Sequence, residues 1–291
     1  FLNQGDSPMN GGSTTARKIE ECGLRLQGIL EQKLGEARRD SLGKDDLREK
    51  VWRWEWNGHA IMLSVQEGNY TALRILPTER ADRGGRRVKL TDDELKKRMA
   101  SCVERRENGD VVIRNIPMID QGPKGYCSPA TWERYLRYMD IPADMYLLAL
   151  AAHTDAGGGT YFPEMIDATE NIVGSYGRRL TEAGTEPSVK NVAKYIDKGL
   201  PVMWRLVSTP DFRKAVKNNT ARRNGEKIER EDSDKDTGIG GHICLIIGYN
   251  EQTGEIAISD SWGSGFAERW VDHREALRVT ASNGAMTILK W

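Results

Sequence analysis

Residues 116–138 read IPMIDQGPKGYCSPATWERYLRY, a loop that delivers Cys127 to the start of an amphipathic helix. Trp132, Tyr135, Leu136 and Met139 follow one another at spacings that place them on one helix face. Ser128 and Pro129 suit a first turn, where a missing N–H does no harm. A cysteine at a helix N-terminus sees the positive end of the macrodipole, which favours the thiolate over the thiol. That is a fitting place for a nucleophile. The plainer reading is a small apolar residue packed beneath a helix, as most free cysteines are.

The remaining segments are read for a base and for a group to orient it. The chain has four histidines, His59, His153, His242 and His273. His59 falls in a hairpin turn region and His273 in a charged stretch, and both read as surface residues. His153 ends a helix, where a cation is favourable. His242 opens GGHICLIIGYN (240–250), an apolar strand that holds it rigidly, with glycines before it that let other backbone come close. The next strand, IAISDSW (256–262), follows a hairpin connection and carries Asp260 to the same edge as His242. An acid there accepts from one imidazole nitrogen and leaves the other for the thiol. Gln121 offers a side-chain amide and Cys127 its backbone N–H, a pair of donors suited to an oxyanion. Trp262, Tyr126 and Gly241 flank these groups and are the candidates for shielding the site or binding substrate.

Together the three segments QGPKGYCSPATWERYL, GGHICLIIGYN and SDSWGSGF resemble the papain-like cysteine peptidases. The Cys127 segment and the Asp at 260 are closer to the bacteriocin-processing-peptidase-like branch of that clan, whose members are often bacterial. The resemblance covers about residues 111–291. It implies an α+β papain-like fold, with the nucleophile helix packed on an antiparallel sheet. It also implies Cys127 as nucleophile, His242 as base, Asp260 as orienter and Gln121 as oxyanion donor. The implied activity is hydrolysis of peptide bonds through a thioester, in a hydrolase of the thiol-protease class. Two departures bear on substrate preference: Tyr126 and Ser128 replace the usual neighbours of the cysteine, and the stretch before His242 is longer than the pattern. Transglutaminases, acyltransferases and amidases share the Cys-His-Asp order, and a peptide-binding or adhesion module without catalysis is a third reading.

The rest of the chain sets bounds. Of 291 residues, 43 are basic and 43 acidic, so the zero net charge gives no whole-chain argument for nucleic acid or an anionic membrane. No apolar run approaches the ~20 residues of a membrane span. The four cysteines, Cys22, Cys102, Cys127 and Cys244, match no zinc signature, and neither metal nor organic cofactor is expected. Cys22 and Cys102 fall on predicted helices and read as core residues, with pairing in an oxidising compartment as the alternative. The chain opens on Phe1 rather than Met, as expected where a leading segment has been removed; a secreted or periplasmic location is the expectation.

Residues 1–110 read as a small α+β accessory domain of their own. A helix over 14–37 precedes a hairpin with Asn57-Gly58 at its turn and Trp52, Trp54 and Trp56 on one face. That face reads as packing against the first helix, or as a surface for a sugar or peptide. Thr91 to Glu94 is a capping box. As a unit, residues 1–110 fit an accessory domain or a propeptide. Residues 111–291 read as the catalytic domain, with helices first and then antiparallel strands. They are interrupted by a charged insertion without periodicity at about 210–240, either a flap or a solvated loop.

Overall fold

The computed structural model describes residues 2–3, 12–43, 48–66, 70–86, 90–154, 159–226, 238–282 and 284–291. In chain order the elements begin with β1 (Leu2–Asn3), α1 (Gly12–Leu34), β2 (Arg38–Leu42), β3 (Glu49–Trp56), β4 (His59–Gln66), β5 (Tyr70–Pro77) and α2 (Thr78–Asp82). Next come α3 (Asp92–Ser101), β6 (Val103–Arg105), β7 (Asp110–Ile113), α4 (Cys127–Tyr138), α5 (Met145–Ala151) and α6 (Phe162–Ser175). The chain continues through β8 (Arg179–Gly184), α7 (Val189–Ile196), β9 (Val202–Ser208), α8 (Pro210–Arg223) and β10 (Gly240–Asn250). It ends with β11 (Glu255–Ser259), β12 (Arg269–Asp272), α9 (His273–Val279) and β13 (Met286–Lys290). The α+β class expected from the sequence is the class observed.

Two compact units result. One holds Phe1–Val88, Pro123–Tyr126 and Pro142–Ala168; the other holds Lys89–Gly122, Cys127–Ile141 and Thr169–Trp291. The sequence reading divides the chain at residue 110. The contacts divide it earlier because β6 pairs with β7, and β7 pairs with β10 of the second unit.

In the first unit the sheet order is β1-β5-β4-β3-β2. Trp56 faces His59 across a two-residue turn in which Asn57 and Gly58 both have positive φ, 47° and 74°. That is the conformation an Asn-Gly pair supplies at low cost. Trp54, Ile61 and Leu63 are buried, with Leu26, Leu30 and Leu34 of α1 packed against them. The Trp54 indole N–H donates to Gly35 O at 2.9 Å. Only Trp56 of the three hairpin tryptophans is largely exposed, at 56%. The ladder is therefore chiefly core packing.

In the second unit an antiparallel sheet of eight strands runs β12-β11-β10-β9-β13-β8, with β7 joined to β10 and β6 to β7. A bulge at Ile246–Gly248 divides β10 between two neighbours: β9 pairs along Gly240–Ile246 and β7 along Gly248–Asn250. Helix α4 packs against β10, and Ser128 to Leu136 are all buried. The single buried face read from the sequence is thus too narrow: Glu133 and Arg134 lie inside as well.

The stretch at 210–240 is corrected in part. Pro210–Arg223 is a helix, capped by Thr209 Oγ1 accepting from Phe212 N. It lacks an apolar stripe because polar anchors hold it. Glu255 accepts from Asn219, Arg222 and Arg223, and Arg223 also pairs with Asp110 and lies 3.8 Å over the Trp270 ring. Residues 227–237 lie outside the described residues. All four cysteines are free. Among the described residues, no helix is long and apolar enough to cross a membrane.

Gly199 ends the turn after α7 at φ 72°, and an added Cβ there would lie 2.2 Å from Met99 O. Gly199→Ala is expected to lower the unfolding free energy by about 2–4 kcal/mol, from left-handed strain plus a backbone clash. Urea denaturation measures this, and a loss under about 0.5 kcal/mol would contradict it.

Candidate active site

Helix α4 begins at Cys127, so the thiol sits at the positive end of a helix whose first residues are buried. His242 lies near the start of β10, and Asp260 directly follows β11. These strands pair antiparallel, with Leu245 opposite Ser259. The pairing brings His242 Nε2 to 2.7 Å from Asp260 Oδ1. The other imidazole nitrogen, Nδ1, is left for the thiol.

The ionisations are coupled. Burial opposes the Cys127 thiolate, but the His242 ring and the backbone amides of Ile243 and Ser128 outweigh it and bring the thiol below its usual range. Burial likewise opposes the imidazolium, yet Asp260 and Cys127 push His242 up to about 9. Burial raises Asp260, and His242 and Arg269 more than reverse that, holding the carboxyl below the ordinary carboxylate range. Such an arrangement favours a thiolate–imidazolium pair over two neutral groups.

Trp262 stacks on the His242 ring with centroids 4.8 Å apart and planes at 24°. It covers one face of the imidazole. The Gln121 backbone N–H donates to Ser261 O at 2.8 Å, which ties the loop before Cys127 to the loop of Asp260. Gln121 Oε1 is buried without a hydrogen-bond partner among the described residues.

Two further candidates are placed differently from the sequence reading. Tyr126 is buried, and its ring meets Tyr146 edge-on at 6.1 Å in the first unit. Gly241 is exposed, and a Cβ added there or at Gly240 would meet nothing within 4 Å among the described residues. Close backbone approach is therefore not why glycine stands before His242. Of the other histidines, His59 and His153 are exposed, whereas His273 is half-buried with Nδ1 2.7 Å from Gly254 O.

Several groups escaped the sequence reading. Arg134, two turns beyond Cys127, is 1% exposed and has no carboxylate bonded to it among the described residues. Its guanidinium donates to Pro117 O at 2.9 Å, to Ser259 O at 3.1 Å, to Ser259 Oγ at 2.5 Å and to Ser261 Oγ at 3.4 Å. Burial brings it down to about 10, against the pull of Asp260. Thr131 Oγ1 donates to Ile243 O at 3.1 Å. Helix α4 is thereby fastened to the strand of His242 and to both neighbours of Asp260. Arg269 binds Asp260 Oδ2 through Nε at 3.1 Å and through Nη2.

His242, Cys244 and Asp260 bring potential metal-ligand atoms within 4.8 Å of one another. Asp260 already carries an imidazole and a guanidinium, and burial pushes the Cys244 thiol well up. With Arg134 also bearing on Asp260, the cluster is a poor seat for a dication.

A carboxylate held against an imidazole that in turn lowers a thiol below its ordinary range is an arrangement suited to cysteine-peptidase chemistry. A model of the Peptidase_C39 like family matches residues 113–280. That is more than half of the chain, and the chain belongs to this family. By family it is a cysteine peptidase. Among solved structures, the chain is similar to xylellain, a cysteine protease from Xylella fastidiosa, at 12% identity and a TM-score of 0.42, covering 67% of this chain and 88% of that one. No curated protein matches it.

Arg134→Met would leave Pro117 O, Ser259 O and Ser259 Oγ without their buried donor. The expected cost is roughly 2–4 kcal/mol of unfolding free energy in urea. A change within about 0.5 kcal/mol would show that the guanidinium does not hold the loops together.

Proposed function

We propose that the chain cleaves peptide bonds with Cys127 as nucleophile, His242 as general acid and base, Asp260 as the group orienting the ring and Gln121 as an oxyanion donor. The observation that carries this reading is the His242 Nε2 to Asp260 Oδ1 bond of 2.7 Å, which leaves Nδ1 for a thiol that the same histidine lowers. The Cys127 thiolate attacks the substrate carbonyl, a C–S bond forms, and the carbonyl electrons move to oxygen. The Gln121 side-chain amide and the Cys127 backbone N–H, at the head of α4, stabilise that oxygen. As the C–N bond breaks, the His242 imidazolium protonates the departing amine. His242 then takes a proton from water, the hydroxide attacks the thioester, and the thiolate leaves. Trp262 keeps bulk water from the His242–Asp260 contact. Residues 111–291 carry all the reacting groups in this reading, and residues 1–110 serve as an accessory region.

Cys127→Ala is expected to reduce hydrolysis of an unfolded protein substrate by about 10⁴-fold or more. Undiminished cleavage by that variant would end the assignment. For the unaltered chain, the rate should rise with pH as Cys127 ionises below the ordinary thiol range. It should fall again as His242 gives up its proton near pH 9, because the leaving amine then lacks its acid. Initial rates across pH 4–11 measure both limbs; an alkaline limb near the ordinary histidine range would contradict the His242–Asp260 coupling. Adding a primary amine separates hydrolysis from transfer, since incorporation in place of cleavage points to an acyltransferase.

A further inference from the structure

We propose that Arg269 is a positioning residue, and that Asp260 and Arg269 act as one charge-balanced unit behind the imidazole. This rests on the reading of Cys127 and His242 as the reacting pair. The two oxygens of Asp260 are divided: Oδ1 meets His242, and Oδ2 takes two nitrogens from Arg269. The strand pairing supplies the geometry, since Arg269 stands opposite Ile258, two residues before the acid. The guanidinium is 13% exposed, with the Trp262 and Phe266 rings 5.2 Å and 5.1 Å away. Trp262 therefore stacks on His242 and also touches the cation that holds the partner of His242.

A carboxylate buried this deeply, with an imidazole alone, tends either to take a proton or to hold an uncompensated charge at high cost. A guanidinium on the far oxygen removes both outcomes and fixes the plane of the carboxylate. The other charged and titratable groups bearing on Asp260 are His242 and Cys244 from β10 and Arg134 from α4, while Cys127 bears on His242. Neighbouring Glu268 is engaged by Arg106 and Arg114. Arg269 is thus the guanidinium bonded directly to the acid, on the oxygen that His242 leaves free. Removing it makes the site more negative. A thiolate then forms less readily and an imidazolium is lost less readily, so both ionisation midpoints move to higher pH. A residue that merely supported the fold would lower activity without moving them.

The test is the pH dependence of Cys127 alkylation by iodoacetamide in the full chain. It is read by the mass of the peptide carrying Cys127, so that Cys22, Cys102 and Cys244 do not contribute. In R269Q the lower midpoint is expected to rise by about half a unit to one unit. Labelling below it then slows about threefold to tenfold. In the double variant Asp260→Asn/Arg269→Gln both charges go together, and the midpoint is expected within about 0.3 unit of the unaltered chain. An R269Q chain with native circular dichroism and an unmoved midpoint would overturn the proposal. So would a double variant shifted as far as the single one. If R269Q does not fold, the double variant decides alone, because replacing both partners of a buried pair is better tolerated than removing one: a native-like midpoint supports the proposal, and one raised by about a unit rejects it. Absence of any lowered midpoint in the unaltered chain would instead reject the reading of Cys127 and His242, so the two failures are distinct.

Discussion

A carboxylate taken almost wholly out of water and still charged is the constraint on which the second unit depends. Asp260 is 1% exposed. Burying an ion so deeply costs several kcal/mol unless its lone pairs are answered. Here they are answered by His242 and Arg269, while its own backbone N–H donates to Phe266 O at 3.1 Å. The residues on either side are held by Arg134 from helix α4, and Ser261 O is held by Gln121. The helix of Cys127, the strand of His242, the strand of Arg269 and the loop of Gln121 thus meet at three consecutive residues, Ser259, Asp260 and Ser261. Displacement of any one of them would leave a buried polar group unanswered.

That convergence explains which parts of the site were legible in the sequence. Cys127, His242 and Asp260 each stand in a short stretch with its own local signal: a helix start, a strand start, and the end of a strand after a hairpin connection. Gln121 stands out for the amide its side chain offers ahead of the cysteine. Arg134 and Arg269 gave no such signal, because an arginine that follows a glutamate, as both do, looks the same in sequence whether its head reaches water or a buried partner. Their role is set by strand register and helix rotation together, which a linear reading does not combine. Gly241 failed for a related reason: a glycine suggests crowding, but only the neighbouring chain decides whether crowding exists.

The fold was legible where apolar spacing carries the element and illegible where polar bonds do. The hairpin at Asn57-Gly58 and helix α1 follow directly from their patterns, and Trp54 under α1 is the burial that makes both worth forming. Helix α8 buries Phe212 and Val216 and otherwise rests on a guanidinium between Glu255 and Asp110. Its sequence therefore reads as a charged loop. Strand β8 buries little beyond Ala183 and pairs through its backbone with β13. Hydrogen bonding without apolar periodicity leaves no trace that a hydrophobic pattern can register.

The distribution of charge around Cys127 gives the arrangement its chemical sense. With the thiolate and imidazolium formed, the groups gathered here include two anions, Cys127 and Asp260, and three cations, His242, Arg269 and Arg134. Attack on a carbonyl does not create new negative charge in the proposed mechanism; it moves one charge from sulfur to oxygen over about the length of a bond or two. A field already set for the thiolate therefore serves the oxyanion with little rearrangement, and fixed guanidinium groups do not have to reorient as water would. The same excess of cations favours proton loss from the thiol before substrate arrives. Activation of the nucleophile and stabilisation of the intermediate are, on this account, one electrostatic property of the second unit, built from the arginines that hold its acid loop in place.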